Sequence, residues 1–188
     1  VVELKKMIGI IGALLVVSAV VFFMMQPPPS TAVTEELQQL EARLWTSYVD
    51  FSIAKQNELY ALHLDEATRM TVVETHELPE ALVEAIHTFH ATLNDEMASI
   101  EQYRDTLTQP EHREIVALFI VYLEARNTFL NKEWGYTRAL LKQQQHASVA
   151  TRLYRHARNQ QSAAYEVFAL AIDKRTKKRN ITNRFQQS

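Results

Sequence analysis

Cysteine is absent from the 188 residues. That excludes disulfides, zinc-thiolate centres, iron–sulfur clusters and covalently attached c-type haem. Glycine is almost as scarce: of three, Gly9 and Gly12 fall in an apolar N-terminal run, which leaves Gly135 for the rest of the chain. Tight hairpins that need positive φ are therefore few, and a sheet-rich fold is disfavoured. No Gly-rich phosphate loop exists, and Ser52, Ser99 and Ser162 lie in no triad context. The expectation is a protein that is not an enzyme and carries no cofactor or metal.

The formal net charge is −2, but it is unevenly distributed. Residues 30 to 114 carry 5 Lys/Arg against 17 Asp/Glu, and residues 115 to 188 carry 13 against 4. An acidic half followed by a basic half predicts attraction between the two.

From Met7 to Met25 the chain runs nineteen residues without a charge. At about 1.5 Å per residue this length crosses a hydrocarbon core of roughly 30 Å. Lys5 and Lys6 precede it, and no Lys or Arg follows until Arg43. The positive-inside rule then places residues 1–6 in the cytoplasm, the span at 7–25 in the bilayer, and everything after it outside the cytoplasm, in a bacterium the periplasm. The small residues Ser30, Thr31 and Ala32 offer a cleaved signal peptide as the competing reading. An apolar run longer than the roughly 7–15 residues of a signal core favours a retained anchor.

After a Pro-rich spacer, 26–33, hydrophobic periodicity of 3.6 residues governs the chain. Val33, Leu37, Leu40, Leu44, Tyr48, Phe51, Leu59 and Leu62 mark a first helix reaching about residue 64. Thr68 to Glu77 lacks a stripe and reads as a loop or frayed turn. Pro79 opens a second helix, with Leu82, Ile86, Phe89, Leu93, Met97, Ile100, Tyr103 and Leu107 on one face. Pro110 opens a third, with Ile115, Phe119, Tyr122, Leu123, Leu130, Trp134 and Leu141. Gln143 to Ser148 is a polar turn. Val149, Leu153, Ala157, Ala164, Val167, Phe168 and Ala171 define a fourth, ending near Asp173. The fold class expected is all-α: one transmembrane helix followed by an antiparallel up-down-up-down four-helix bundle over 34–173. A basic tail, 174–188, would then return to the bilayer surface.

Two groups of residues are candidate sites. Lys174, Arg175, Lys177, Lys178, Arg179 and Arg184 place six positive charges in eleven residues. Such a cluster suits anionic lipid head groups or a partner surface, whereas nucleic acid is not expected, because no aromatic residue interleaves the run. The second group comes from charges that interrupt apolar stripes: Lys55, Arg126, Glu133 and Gln160, with His90 flanking. Counting about 1.5 Å per residue puts all five at similar heights, as one polar layer. That layer is either a register-fixing network or a pocket in which Arg126 and Lys55 hold a small carboxylate. Glu84 and His87, spaced as in di-iron bundles, fall on the outward face and carry no metal expectation.

The function expected is that of a single-pass inner-membrane interaction protein, an accessory, scaffolding or regulatory subunit of a larger membrane complex. Its partners would be other membrane-protein subunits and the bilayer itself, with Trp45 and Tyr48 as exposed contacts near the membrane end. The alternative is a periplasmic sensor module binding a small anion at the polar layer.

Overall fold

The computed structural model describes residues 31–64, 66–141 and 147–186. The proposed span at 7–25 and most of the turn at 143–148 lie outside them. The described residues are helical, with no strand among them, and no helix among them is long and apolar enough to cross a membrane. Two compact units divide the chain, Val1–Glu35 and Glu36–Ser188. Of the first, the described part is the opening turn of a helix, and the core lies entirely in the second.

Helix α1 spans Thr31–Val49 and buries Leu37, Leu40 and Leu44 completely. A π-helical turn follows at Asp50–Ala54, closed by the Lys55 amide donating to the Asp50 carbonyl. Its physical role is to correct phase. Phe51 and Leu59 are both buried, yet eight residues of regular α-helix would leave them about 80° apart. One extra residue absorbed in a wide turn reduces the mismatch to about 20°. Helix α2 then continues over Lys55–Leu64.

The segment read from sequence as a loop, Thr68 to Glu77, is instead mostly helical: α3 spans Glu66–Thr75. It ends where His76 adopts φ 55° and its amide donates to the Val72 carbonyl at 2.9 Å. This left-handed cap substitutes for the glycine that the chain lacks there.

Pro79 stands immediately before α4, Glu80–Thr106, and its carbonyl receives the amides of Leu82 and Val83. Pro110 is the first residue of α5, Pro110–Leu141, where a missing N–H costs nothing. Helix α6 runs Ala147–Lys178. The expected stripe of α4 is buried at Leu82, Ile86, Phe89, Leu93, Ile100 and Leu107. That of α5 is buried at Ile115, Phe119, Tyr122, Leu123, Leu130 and Trp134. In α6 the expected stripe is only half right: Ala157 and Phe168 are buried, but Val149, Leu153 and Val167 are exposed, and Ile172 takes a core place instead.

Contacts fix the relative directions of the long helices within the second unit. Glu36 meets Thr108 and Arg43 meets Glu96, so α1 and α4 run antiparallel. Glu36 with His112, Ser52 with Tyr122 and Tyr60 with Glu133 advance together, so the first helix and α5 are parallel. Phe119 with Phe168 and Phe129 with Tyr154 set α6 antiparallel to α5.

The expected basic tail is not a free tail. Lys174, Arg175, Lys177 and Lys178 belong to α6, whose C-terminal dipole they complement. The helix stops at Asn180, with φ 54°, and the Ile181 amide donates back to the Thr176 carbonyl at 3.0 Å, a Schellman closure. The chain then folds onto the bundle as a short strap that ends in a 3-10 turn, Arg184–Gln186.

Candidate interaction site

The polar layer expected across the bundle does not assemble. Arg126 is 4% exposed and spends its guanidinium on main chain, with Nε 3.4 Å from the Phe51 carbonyl and Nη2 2.9 Å from that of Ser52. Both carbonyls belong to the π turn, whose widened geometry disturbs the usual i to i+4 pairing. A sequence-level stripe cannot reveal this, because the partner of the charge is backbone. Nearby, Ser52 Oγ and Tyr122 Oη share a hydrogen bond of 2.8 Å, and burial pushes the Tyr122 phenol up.

Glu133 lies elsewhere on α5 and accepts the Tyr60 hydroxyl at 2.9 and 3.0 Å. Burial of Tyr60, and then the hydrogen bond and charge of Glu133, push the phenol up to about 12. His90 Nδ1 bonds the Asn127 side-chain oxygen, and Asn127 in turn donates to Asn94 at 3.2 Å. Gln160 is exposed on the outside of α6. Lys55, half-buried at the rim rather than mid-face, holds its ammonium 4.5 Å from the Phe51 ring centre. Arg126, Glu133, His90 and Lys55 therefore serve separate contacts, and Gln160 faces outward.

Lys55 does border a groove of about 400 Å³ between α2 and α4, floored by Leu59, Ala85 and Phe89 and edged by Glu58 and Glu84. Glu84 and His87 are exposed, as expected from the helical wheel, and no three His, Asp or Glu side chains converge among the described residues.

Several cations of the basic cluster are paired within the fold. Glu111, at the start of α5, receives Arg175 Nη1 at 3.0 Å and Arg179 Nη2 at 3.1 Å, and Lys177 Nζ lies 2.8 Å from Asp173. Arg184 grips Glu41 with its guanidinium and its amide together, the shortest contact being 2.6 Å. Glu41–Arg184 and Glu111 with Arg175 and Arg179 join the acidic half of the chain to the basic half. Lys174 and Lys178 are exposed.

Beside Arg184, Phe185 is 4% exposed and sits among Trp45, Tyr48, Phe119 and Phe168, with ring centres 4.9 to 6.4 Å away. Trp45 and Tyr48, expected as exposed contacts, are half-buried instead, because the strap covers them. The signal for this was available: an apolar aromatic placed just beyond a helix-ending Asn.

At the same end of the bundle, Glu36 caps the next helix pair. Its carboxylate accepts the amides of Thr108 and Gln109, the Thr108 hydroxyl and His112 Nδ1, the last at 2.6 Å. Burial alone would raise this carboxyl, but the bonds from Thr108, His112 and Gln109 outweigh it and bring it down to about 2.

Large apolar side chains are left exposed at Ile53, Leu62, Met70 and Val121, and four more lie along α6. Val149, Leu153, Val167 and Leu170 of α6 are 40%, 47%, 53% and 70% exposed, while the core beneath is closed by Phe168 and Ile172 at 0%. No family model, no curated protein and no solved structure matches this chain.

Proposed function

We propose that this chain is a membrane-anchored interaction protein: a retained span at Met7–Met25 carries an extracytoplasmic up-down-up-down helical bundle that serves as an accessory or scaffolding subunit of a larger membrane complex. The carrying observation is a contrast within the bundle. Arg126 and Glu133, the internal charged groups best placed to recognise a ligand, are engaged within the fold. One long helix meanwhile keeps large apolar side chains in solvent. A protein that buries its chemistry and exposes apolar surface is built to be covered by something else.

The anchor rests on the uncharged nineteen-residue run and the Lys5-Lys6 flank. The C-terminal end of α6 lies at the Glu36 end of the bundle, since Arg175 and Arg179 meet Glu111 one residue from His112, the Glu36 partner. Exposed Lys174 and Lys178 at that end suit anionic head groups. Protease added to intact spheroplasts tests the topology. Digestion of the bundle is the result expected, and protection alongside a digested outward-facing control would overturn the reading.

A second reading keeps a specific observation of its own: the groove between α2 and α4, with the Lys55 ammonium at its rim. A small carboxylate bound there would raise the melting temperature in a manner lost in Lys55→Gln.

A further inference from the structure

Along α6 the exposed positions fall in alternating steps of four and three residues: Val149, Leu153, His156, Gln160, Ala163, Val167, Leu170 and Lys174, every one of them exposed. That is a heptad seam of about 38 Å. It lies beside the stripe that packs the core (Ala157, Phe168, Ile172), so α6 presents two apolar faces and the fold uses one.

We propose that this seam is covered by α6 of a second copy of the chain, the two helices parallel and in register. The sequence of the seam chooses the occupant. In parallel register each position meets itself: Leu153 meets Leu153, Val167 meets Val167, and the Gln160 amides hydrogen-bond across the axis, the register-fixing use of a central polar residue. An antiparallel pair centred on the same stretch would set Gln160 against Ala163 and His156 against the second copy's Val167, leaving polar groups against apolar ones. Its one compensation, Arg152 facing Asp173, is weakened because Asp173 already holds Lys177, Asn183 and Gln186. The flanking positions Ala150, Ala164 and Ala171 are small enough for close approach. Lys174 closes the seam, its long stem letting the two ammoniums splay apart.

Parallel pairing also points both Glu36 ends the same way, which two chains anchored in one bilayer require. In that respect the inference rests on the membrane-anchored reading above. A seam this long and about 10 Å wide covers on the order of 400 Å² per copy, less than a stable dimer in dilute solution needs. Confinement to one membrane supplies the missing association through effective concentration.

The absence of native cysteine makes the test direct. Single variants Gln160→Cys, Val167→Cys and, as an exposed off-seam control, Ser162→Cys are prepared in the full chain, reconstituted in lipid vesicles and mildly oxidised. Flotation of the vesicles is scored separately. The expected result is disulfide-linked dimer for Gln160→Cys and Val167→Cys well above the Ser162→Cys level. The signal should fall to that level when Leu170→Glu is added without loss of helix content. Gln160→Cys crosslinking no better than the control, in chains that float, overturns the pairing and leaves the anchor standing. Crosslinking of Leu153→Cys to Leu170→Cys in a mixed sample, without Gln160→Cys dimers, overturns the parallel register. Seam-dependent dimers in chains that do not float keep the pairing and remove the anchor. Chains that neither float nor crosslink overturn both.

Discussion

Arg184 Nη2 stands 2.6 Å from Glu41 Oε2, joining the last turn of the described chain to the third turn of its first helix. The carboxylate is 5% exposed at the side chain, whereas the guanidinium is 40% exposed and stacks 5.7 Å from the Trp45 ring centre. Glu41 thus depends on Arg184 far more than Arg184 depends on Glu41. Arg184→Ala should destabilise by about 3 kcal/mol, the scale for leaving a buried charge without its partner. Arg184→Lys should recover less than half of that, because an ammonium cannot reproduce the two-point grip. Urea unfolding of the three proteins measures both.

Phe185 extends the same argument to packing. Removing a ring that touches four aromatic neighbours leaves a cavity, so Phe185→Ala should cost about 3 kcal/mol or more. Because Phe185 covers Trp45, the indole fluorescence of that residue should shift to the red in the folded variant. An unchanged spectrum and midpoint would show that the strap does not dock.

The Glu36 cap gives a pH signature. Its carboxyl is held at about 2 against an ordinary 4.5, so the native state favours the ionised form. The stability this contributes is present above pH 4.5 and is lost as pH falls from there toward 2. The move from 4.5 to about 2 corresponds to roughly 3 kcal/mol, which solvent screening of the partly exposed carboxylate reduces to on the order of 2 kcal/mol at neutral pH. Glu36→Gln should lower the melting temperature at neutral pH and flatten its decline over that acid range.

Tyr60 gives the opposite signature at the alkaline end. Burial first, and then Glu133, push its phenol from 10 up to about 12, so the native state holds the proton more tightly than the unfolded chain. The associated stability is present below pH 10 and is lost as pH rises through 12. Glu133→Gln should bring the phenolate absorbance transition of this tyrosine back toward 10, with the other tyrosines as internal comparison.

At the π turn, Arg126→Ala removes the donors of two main-chain carbonyls and opens a cavity, for a loss of about 3 kcal/mol. Arg126→Met, which keeps the volume, should cost less. Equal losses would show that the carbonyl contacts rather than packing set the cost.

Elements with a single apolar stripe in constant phase were legible in the sequence. The α4 residues from Leu82 to Leu107 and the α5 residues from Ile115 to Trp134 are buried where the 3.6-residue period puts them. The first helix misled at Lys55, because a one-residue π insertion rotates everything after it and leaves no mark in composition. The fourth misled because it carries two apolar stripes bridged by alanines, and periodicity cannot say which one faces inward. The strap was missed because charge dominates 174–184 and obscures the one aromatic that docks. The polar layer failed for a simpler reason: similar height along a bundle does not bring side chains to the same side, and Arg126 and Glu133 found nearer partners.

On this reading α6 exposes its apolar seam because a helix of another anchored chain covers it outside the bilayer. Native-mass separation of gently solubilised membranes, comparing the full chain with Leu153→Glu/Leu170→Glu, tests this most directly. The wild-type chain should migrate in an assembly well above its 21.7 kDa, and the double variant, still folded and still in the membrane fraction, should fall to a smaller species. A wild-type chain that migrates as a lone monomer, or a double variant that keeps the full assembly, would contradict the account.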